Sequence, residues 1–203
     1  MADALHFDYA PGRLGRSDGP PGLVLQELTQ FTLASVIARK DQAAQAAAAA
    51  LHAFGTSPPA TPAITTGGEL AFVWSGPGHW LALGLQATEP VEAGLGSVFG
   101  KHASVFDQSG SRVLLELRGL RVRDVLAKGM SIDLHPRSFK TGDVAVTTAS
   151  HLAVHLWQVA DEPVYRLLVV RTYFDSLWRW LAASAAEYGC EVLAPAPYAS
   201  HSA

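Results

Sequence analysis

In Arg112-Val113-Leu114-Leu115-Glu116-Leu117-Arg118, Val113, Leu115 and Leu117 alternate with Arg112, Glu116 and Arg118. Side chains on a strand point to opposite faces with a period of two, so this stretch predicts a half-buried strand with one apolar and one polar face. A sheet with one apolar face needs a layer to cover it. Downstream the expected order is a short helix over 122–128, a loop over 131–141, strands over 144–149, 152–159 and 164–171, and a helix over 174–188. That last helix places Phe174, Leu177, Trp178, Leu181, Ala185 and Tyr188 on one face, and Gly189 ends it.

Upstream, a strand over 103–107 follows a helix over 91–102, where Val91, Leu95, Val98 and Phe99 repeat at helical spacing. Before these, runs over 69–75 and 79–85 joined by Gly76-Pro77-Gly78 read as a hairpin, and Pro58-Pro59 lies in a loop over 56–68. An Ala-rich helix over 43–54, with Asp41 as its expected cap and Gly55 at its end, follows a strand over 30–38. The order β-α-β-β-α-β read upstream is taken to repeat with altered lengths in the second half, without obvious sequence identity between the halves. The expected fold is α+β, two split β-α-β-β-α-β (ferredoxin-like) units forming one domain over 23–203, the units spanning about 23–107 and 108–195. Pro11-Gly12, Gly15 and Gly19-Pro20-Pro21-Gly22 make 1–22 an expected extended arm.

The 203 residues are 49% apolar and only 16% charged, against about 25% charged in an average soluble domain. A charge-poor surface with five Trp suits a chain that keeps apolar area against partner chains. Net charge is −3 and the 15 Lys and Arg are scattered, which argues against nucleic acid or an anionic membrane surface. A single cysteine, Cys190, forms no internal disulfide, and no leader pattern is visible, so a reducing cytoplasm is expected. The apolar helix over 43–54 is too short to span a bilayer.

Five groups of residues are candidates for chemistry. Gly94-Leu95-Gly96-Ser97-Val98-Phe99-Gly100 misses the dinucleotide spacing by one residue and Lys101-His102 breaks the phosphate-loop pattern, so a packing face is the favoured reading. His151 and His155, four apart, would share a strand face and could supply two metal nitrogens, but nothing completes the site and structural imidazoles are favoured. Asp133-Leu134-His135-Pro136 holds either an acid/base pair or a self-bonded turn. Ser109 and Ser111 lack an adjacent base. Of the tryptophans, Trp74, Trp80 and Trp157 could stack on a flavin or pterin ring or fill core, Trp178 belongs to the helix's apolar face, and Trp180 points elsewhere. No catalytic, cofactor-binding or metal residue is assigned, and the candidate partner interface is Trp180, His135 and Phe139.

From Asp107-Gln108-Ser109-Gly110 through Leu117-Arg118-Gly119 the chain resembles the gamma subunit of heterotetrameric sarcosine oxidase. Val125-Leu126-Ala127-Lys128-Gly129, Asp133-Leu134-His135-Pro136, Phe139, Gly142, Thr147-Thr148, His151, Ser176-Leu177-Trp178 and Trp180-Leu181 continue the likeness in order over roughly 107–190. The resemblance implies a fold similar to the aminomethyltransferase folate-binding domain. It implies an accessory, non-catalytic chain in a complex with alpha, beta and delta subunits, alpha being the main contact. Such a complex demethylates sarcosine to glycine, passes the one-carbon unit to tetrahydrofolate or releases it as formaldehyde, and forms hydrogen peroxide. FAD, FMN, NAD, zinc and tetrahydrofolate would sit in the other subunits, with none bound by this chain. The rival readings are a free-standing folate-binding one-carbon transferase, and a subunit of a related N-methyl amino acid demethylase.

Overall fold

The computed structural model describes residues 10–85 and 90–198. In chain order its elements are β1 (Gly12–Leu14), β2 (Leu23–Thr29), β3 (Phe31–Ala38), α1 (Ala43–Phe54), β4 (Ile64–Gly67), β5 (Leu70–Gly76), β6 (His79–Leu85), α2 (Glu92–Phe99), β7 (Ala103–Asp107) and β8 (Arg112–Arg118). They continue with α3 (Val122–Ala127), β9 (Val144–Ala149), β10 (Leu152–Ala160), β11 (Val164–Val170), a 3-10 turn Arg171–Tyr173, α4 (Phe174–Ala185), β12 (Cys190–Val192) and β13 (Ala196–Pro197).

The strands form two sheets. The smaller has the order β4-β5-β6-β3-β7, and without β4 this is the strand order of one split β-α-β-β-α-β unit. The larger runs β1-β12-β2-β8-β11-β10-β9, with β13 also pairing β2. Here β2, not read as a strand from the sequence although it falls within the first unit's bounds of about 23–107, lies beside β8 in the place that the second unit's own closing strand would take. It runs antiparallel to β8, while β12 is displaced outward and pairs with β2 in parallel. The reason is burial on both sides: Leu23 and Leu25 face the helices α3 and α4, and Leu28 faces the smaller sheet. The larger sheet therefore takes one of its strands from residues allotted to the first unit.

The layers are α3 and α4, the larger sheet, the smaller sheet, then α1 and α2. Val113, Leu115, Leu117, Tyr165, Leu167 and Val169 pack with Val125, Leu126, Phe174, Leu177 and Leu181. Leu114, Trp157 and Leu168 pack with Leu33, Val73, Leu81 and Leu83 between the sheets. Ala34, Val36, Phe72 and Ala82 meet Ala46, Ala50, Leu95 and Phe99 on the outer side of the smaller sheet.

This sandwich corrects the expectation that 112–118 is half-buried, since Val113 through Leu117 are all buried. Glu116 is 5% exposed and sits against Arg166 at 3%, whose Nε and one terminal nitrogen each lie 3.4 Å from Glu116 Oε2. Arg166 also donates to the Tyr198 hydroxyl and lies 4.2 Å over its ring. A buried charge is tolerated when paired and hydrogen-bonded. Here the cluster pins β13 to the sheet.

Smaller departures have local causes. Gln42, not Asp41, is the N-cap of α1 and makes no side-chain cap bond, because Asp41 sits at φ 59. Gly55, at φ 69, closes that helix with its N–H on Leu51 O. Gly100 at φ 50 stops α2 at Phe99. Residues 12–22, expected within the extended arm, pack on the chain: β1 pairs with β12, and Arg16 N–H donates to Ala186 O at 2.8 Å. Residues 1–9 of that arm lie outside the described residues. No helix among the described residues is long and apolar enough to cross a membrane.

Candidate functional site

The loop after α3 gathers the three residues expected at an interface. Asp133 Oδ1 accepts from the His135 N–H at 2.9 Å, and Oδ2 accepts from the Ser138 hydroxyl at 2.6 Å. Those two bonds, the Ser138 one foremost, hold the Asp133 carboxyl below the usual range. Both oxygens serve the turn, so Asp133 is an ionised acceptor and not a proton donor to His135. His135 is exposed, and its Nδ1 accepts from the Arg137 N–H at 3.2 Å. Phe139 is 7% exposed, its ring 6.2 Å from Tyr165, whose hydroxyl accepts from Arg123 Nε at 2.8 Å. Trp180 is half-buried and lies flush on Gly129, where a Cβ would come within 2.6 Å of the indole. All three therefore lie in or against one segment, 129–139, with His135 exposed and Phe139 in the core.

The two histidines expected on one strand face are separated by the fold. Ser150 and His151 have φ of 48° and 71° and form the tight turn between β9 and β10, as two-residue hairpin loops require. His151 is exposed there, whereas His155 is buried between the sheets. Among the described residues no group of three or more His, Cys, Asp or Glu could hold a metal ion.

His155 has a partner that the sequence did not indicate. Its Nε2 is 2.9 Å from Ser75 Oγ, 80 residues away on β5. A hydroxyl beside an imidazole has the outline of a nucleophile and its base. Burial, and then the positive charge of Arg112, push His155 down to about 4. A base needs a neighbour that supports the imidazolium, usually a carboxylate; Arg112 does the opposite. The Ser75–His155 pair is thus a part-buried hydrogen bond that satisfies two polar groups in the sandwich.

The glycine-rich stretch lies inside α2, where Gly94 and Gly96 face open space. Gly94 borders an apolar cavity of about 370 Å³ lined by Phe54, Leu70, Val91 and Leu95, with Glu69 as its one charged wall among the described residues. An acidic, apolar recess repels phosphate. Ser109 closes a turn, donating to Asp107 Oδ1 at 2.6 Å and accepting from the Leu33 N–H at 3.1 Å. Trp80 is buried with its indole N–H on Pro59 O, Trp157 is buried between the sheets, and Trp74 and Trp178 are half-buried against the two helical layers.

Comparison with known proteins follows the same lines. A family model described as "Sarcosine oxidase, gamma subunit family" matches residues 39–187. The chain is 30% identical over 175 residues to the sarcosine oxidase subunit gamma of Arthrobacter sp, covering 85% of this chain and 84% of that one. It is 29% identical over 149 residues to the corresponding subunit of Corynebacterium sp. (strain P-1), covering 72% and 73%. Among solved structures it is similar to heterotetrameric sarcosine oxidase from Corynebacterium sp. U-96 in complex with pyrrole 2-carboxylate. There the TM-score is 0.73 and the identity 25%, over 82% of this chain and 85% of that one. Glycine cleavage system aminomethyltransferase T from Bartonella henselae shares the fold at TM-score 0.61 and 14% identity, over 86% of this chain and 48% of that one.

Proposed function

Since the chain belongs to the sarcosine oxidase gamma subunit family, we propose that it is the non-catalytic gamma subunit of a heterotetrameric complex that oxidatively demethylates sarcosine to glycine. In that reaction the N-methyl carbon passes to tetrahydrofolate or leaves as formaldehyde, and oxygen is reduced to hydrogen peroxide. The observation that carries this reading is the likeness to a chain of a solved sarcosine oxidase heterotetramer across most of both lengths. The candidate chemistry within the chain is consistent with it: Asp133 is spent on its own turn, His155 is too weak a base, and the glycines of α2 border an apolar recess.

The role we assign is structural. The partners are the alpha, beta and delta subunits, alpha the principal one, and FAD, FMN, NAD, zinc and tetrahydrofolate reside in those chains. The segment 129–139, with His135 exposed and Trp180 beside it, is assigned as one partner contact. The complex is placed in the cytoplasm, where a lone buried Cys190 fits reducing conditions. The test is to express the four chains together and this chain alone, then measure flavin absorbance and sarcosine-dependent oxygen consumption. Both should appear in the complex and neither in the isolated chain; bound flavin or turnover in the isolated chain overturns the reading.

A further inference from the structure

The face that the larger sheet turns toward the smaller one is not covered to its end. Register aligns two rows of side chains on it. In one, Val146, His155, Leu168 and Leu114 stand side by side across β9, β10, β11 and β8. The next row holds Thr148 beside Ala153 and Val170 beside Arg112. His155, Leu168 and Leu114 are buried. Thr148 and Ala153 are exposed, Val170 and Arg112 are half-buried, and Val146 is 46% exposed. The second row thus forms a ledge beyond the smaller sheet, and the Ser75–His155 contact stands behind it.

One end of this ledge carries a cation without a counter-ion among the described residues. Burial depresses Arg112, its Nε is fully buried with no hydrogen-bond partner, and among the described residues no carboxylate lies within ion-pair distance of it. His155, whose imidazole feels the charge of Arg112, is neutral at ordinary pH. Arg171 adds positive charge nearby, donating to Gly110 O at 2.9 Å and to Arg112 O at 3.0 Å. A desolvated guanidinium of this kind is costly until an anion pairs with it. The rest of the ledge is small and mostly apolar, which calls for an apolar cover rather than a lone ion.

We propose that this ledge is a docking surface for a partner subunit, which lays a short apolar segment over Val146, Ala153 and Val170 and sets an Asp or Glu carboxylate on Arg112. The proposal rests on the reading of the chain as a subunit of a complex. Charge complementarity selects the occupant. An acidic group meets the unpaired cation, and an extended peptide meets an open strip of strand surface.

The test measures binding of the full chain to the co-expressed alpha, beta and delta chains by biolayer interferometry, beside thermal unfolding of each variant alone. Arg112→Gln should weaken binding by about tenfold or more, as loss of one partner of a desolvated charge pair does. It should leave the melting temperature of the isolated chain unchanged or higher, because an unpaired half-buried charge is removed. Arg112→Lys should keep part of the affinity. Ala153→Glu, at an exposed position, should weaken binding at least as much by repelling the carboxylate. Wild-type binding with both Arg112→Gln and Ala153→Glu within about twofold of it would overturn the proposal, and so would acetate binding through Arg112 with assembly untouched. A wild-type chain that binds none of the partners would end the subunit reading and the proposal together, so the two failures are distinguishable.

Discussion

Acid should destabilise this chain partly through one residue, His155. Its imidazole, 9% exposed and behind Arg112, has a folded pKa of about 4 against 6.5 in the unfolded chain. Between those values the unfolded chain binds a proton there that the folded chain does not, so stability rises with pH across the window and is lost as pH falls from about 6.5 to about 4. At about 1.4 kcal/mol per pH unit the full loss is about 3 kcal/mol, a fifth or more of an ordinary stability of about 5–15 kcal/mol. Urea unfolding followed by tryptophan fluorescence measures it, since Trp157 lies in the same inter-sheet core. Wild type and His155→Gln should be compared from about pH 7 to about pH 4.5, the amide retaining a hydrogen bond to Ser75 without titrating. Asp133 and Glu187, whose depressed pKa values also favour the folded state at higher pH, contribute to both proteins and cancel in the difference. The wild type should lose about 2–3 kcal/mol more than the variant over this range. Parallel curves would refute the buried, neutral imidazole and with it the arrangement of Ser75, His155 and Arg112.

Glu116→Leu removes the carboxylate set against the buried Arg166 guanidinium and should cost about 3–5 kcal/mol, a fall in melting temperature of about 6–20 °C by circular dichroism. Adding Arg166→Met should recover most of that loss. Gly129→Ala drives a methyl group to 2.6 Å from the Trp180 ring; it should cost about 1–3 kcal/mol and shift tryptophan emission, both read in one denaturation series. Calorimetric titration of the isolated chain with a reduced folate should give no saturable heat, because the Asp133 oxygens already accept from His135 and Ser138. Saturable heat abolished by Asp133→Asn would mean that this turn opens to anchor a pterin.

Much of the element order was legible because period-two and helical apolar patterns act over a few residues. The strand at 112–118, the hairpin around Gly76-Pro77-Gly78 and the helix from Phe174 are found where alternation and spacing put them. Pairing across the chain was not legible. Leu23–Thr29 carries nothing that says its neighbour is Arg112–Arg118 rather than Phe31–Ala38. The charge of Glu116 reads as a solvent face until Arg166, 50 residues later, is set against it. Ser75 and His155 are 80 apart and each is unremarkable alone. The four-residue spacing sets His151 beside His155 only on an unbroken strand, and Ser150 and His151 lack the glycine or asparagine that usually marks the turn they form. β4, β12 and β13, of two to four residues, are too short for any periodicity to declare itself. Asp133, by contrast, was readable as a turn acceptor from its own neighbourhood. Ser138 was the part missed, because its hydroxyl reaches back five residues.

The claim that this chain is a non-catalytic subunit is tested most directly by native mass spectrometry of the four chains co-expressed with an affinity tag on this one alone. The account predicts an assembly with one copy of each chain that releases this polypeptide free of flavin on dissociation. Recovery of the tagged chain without the other three, or of this chain carrying a flavin after release, would contradict it.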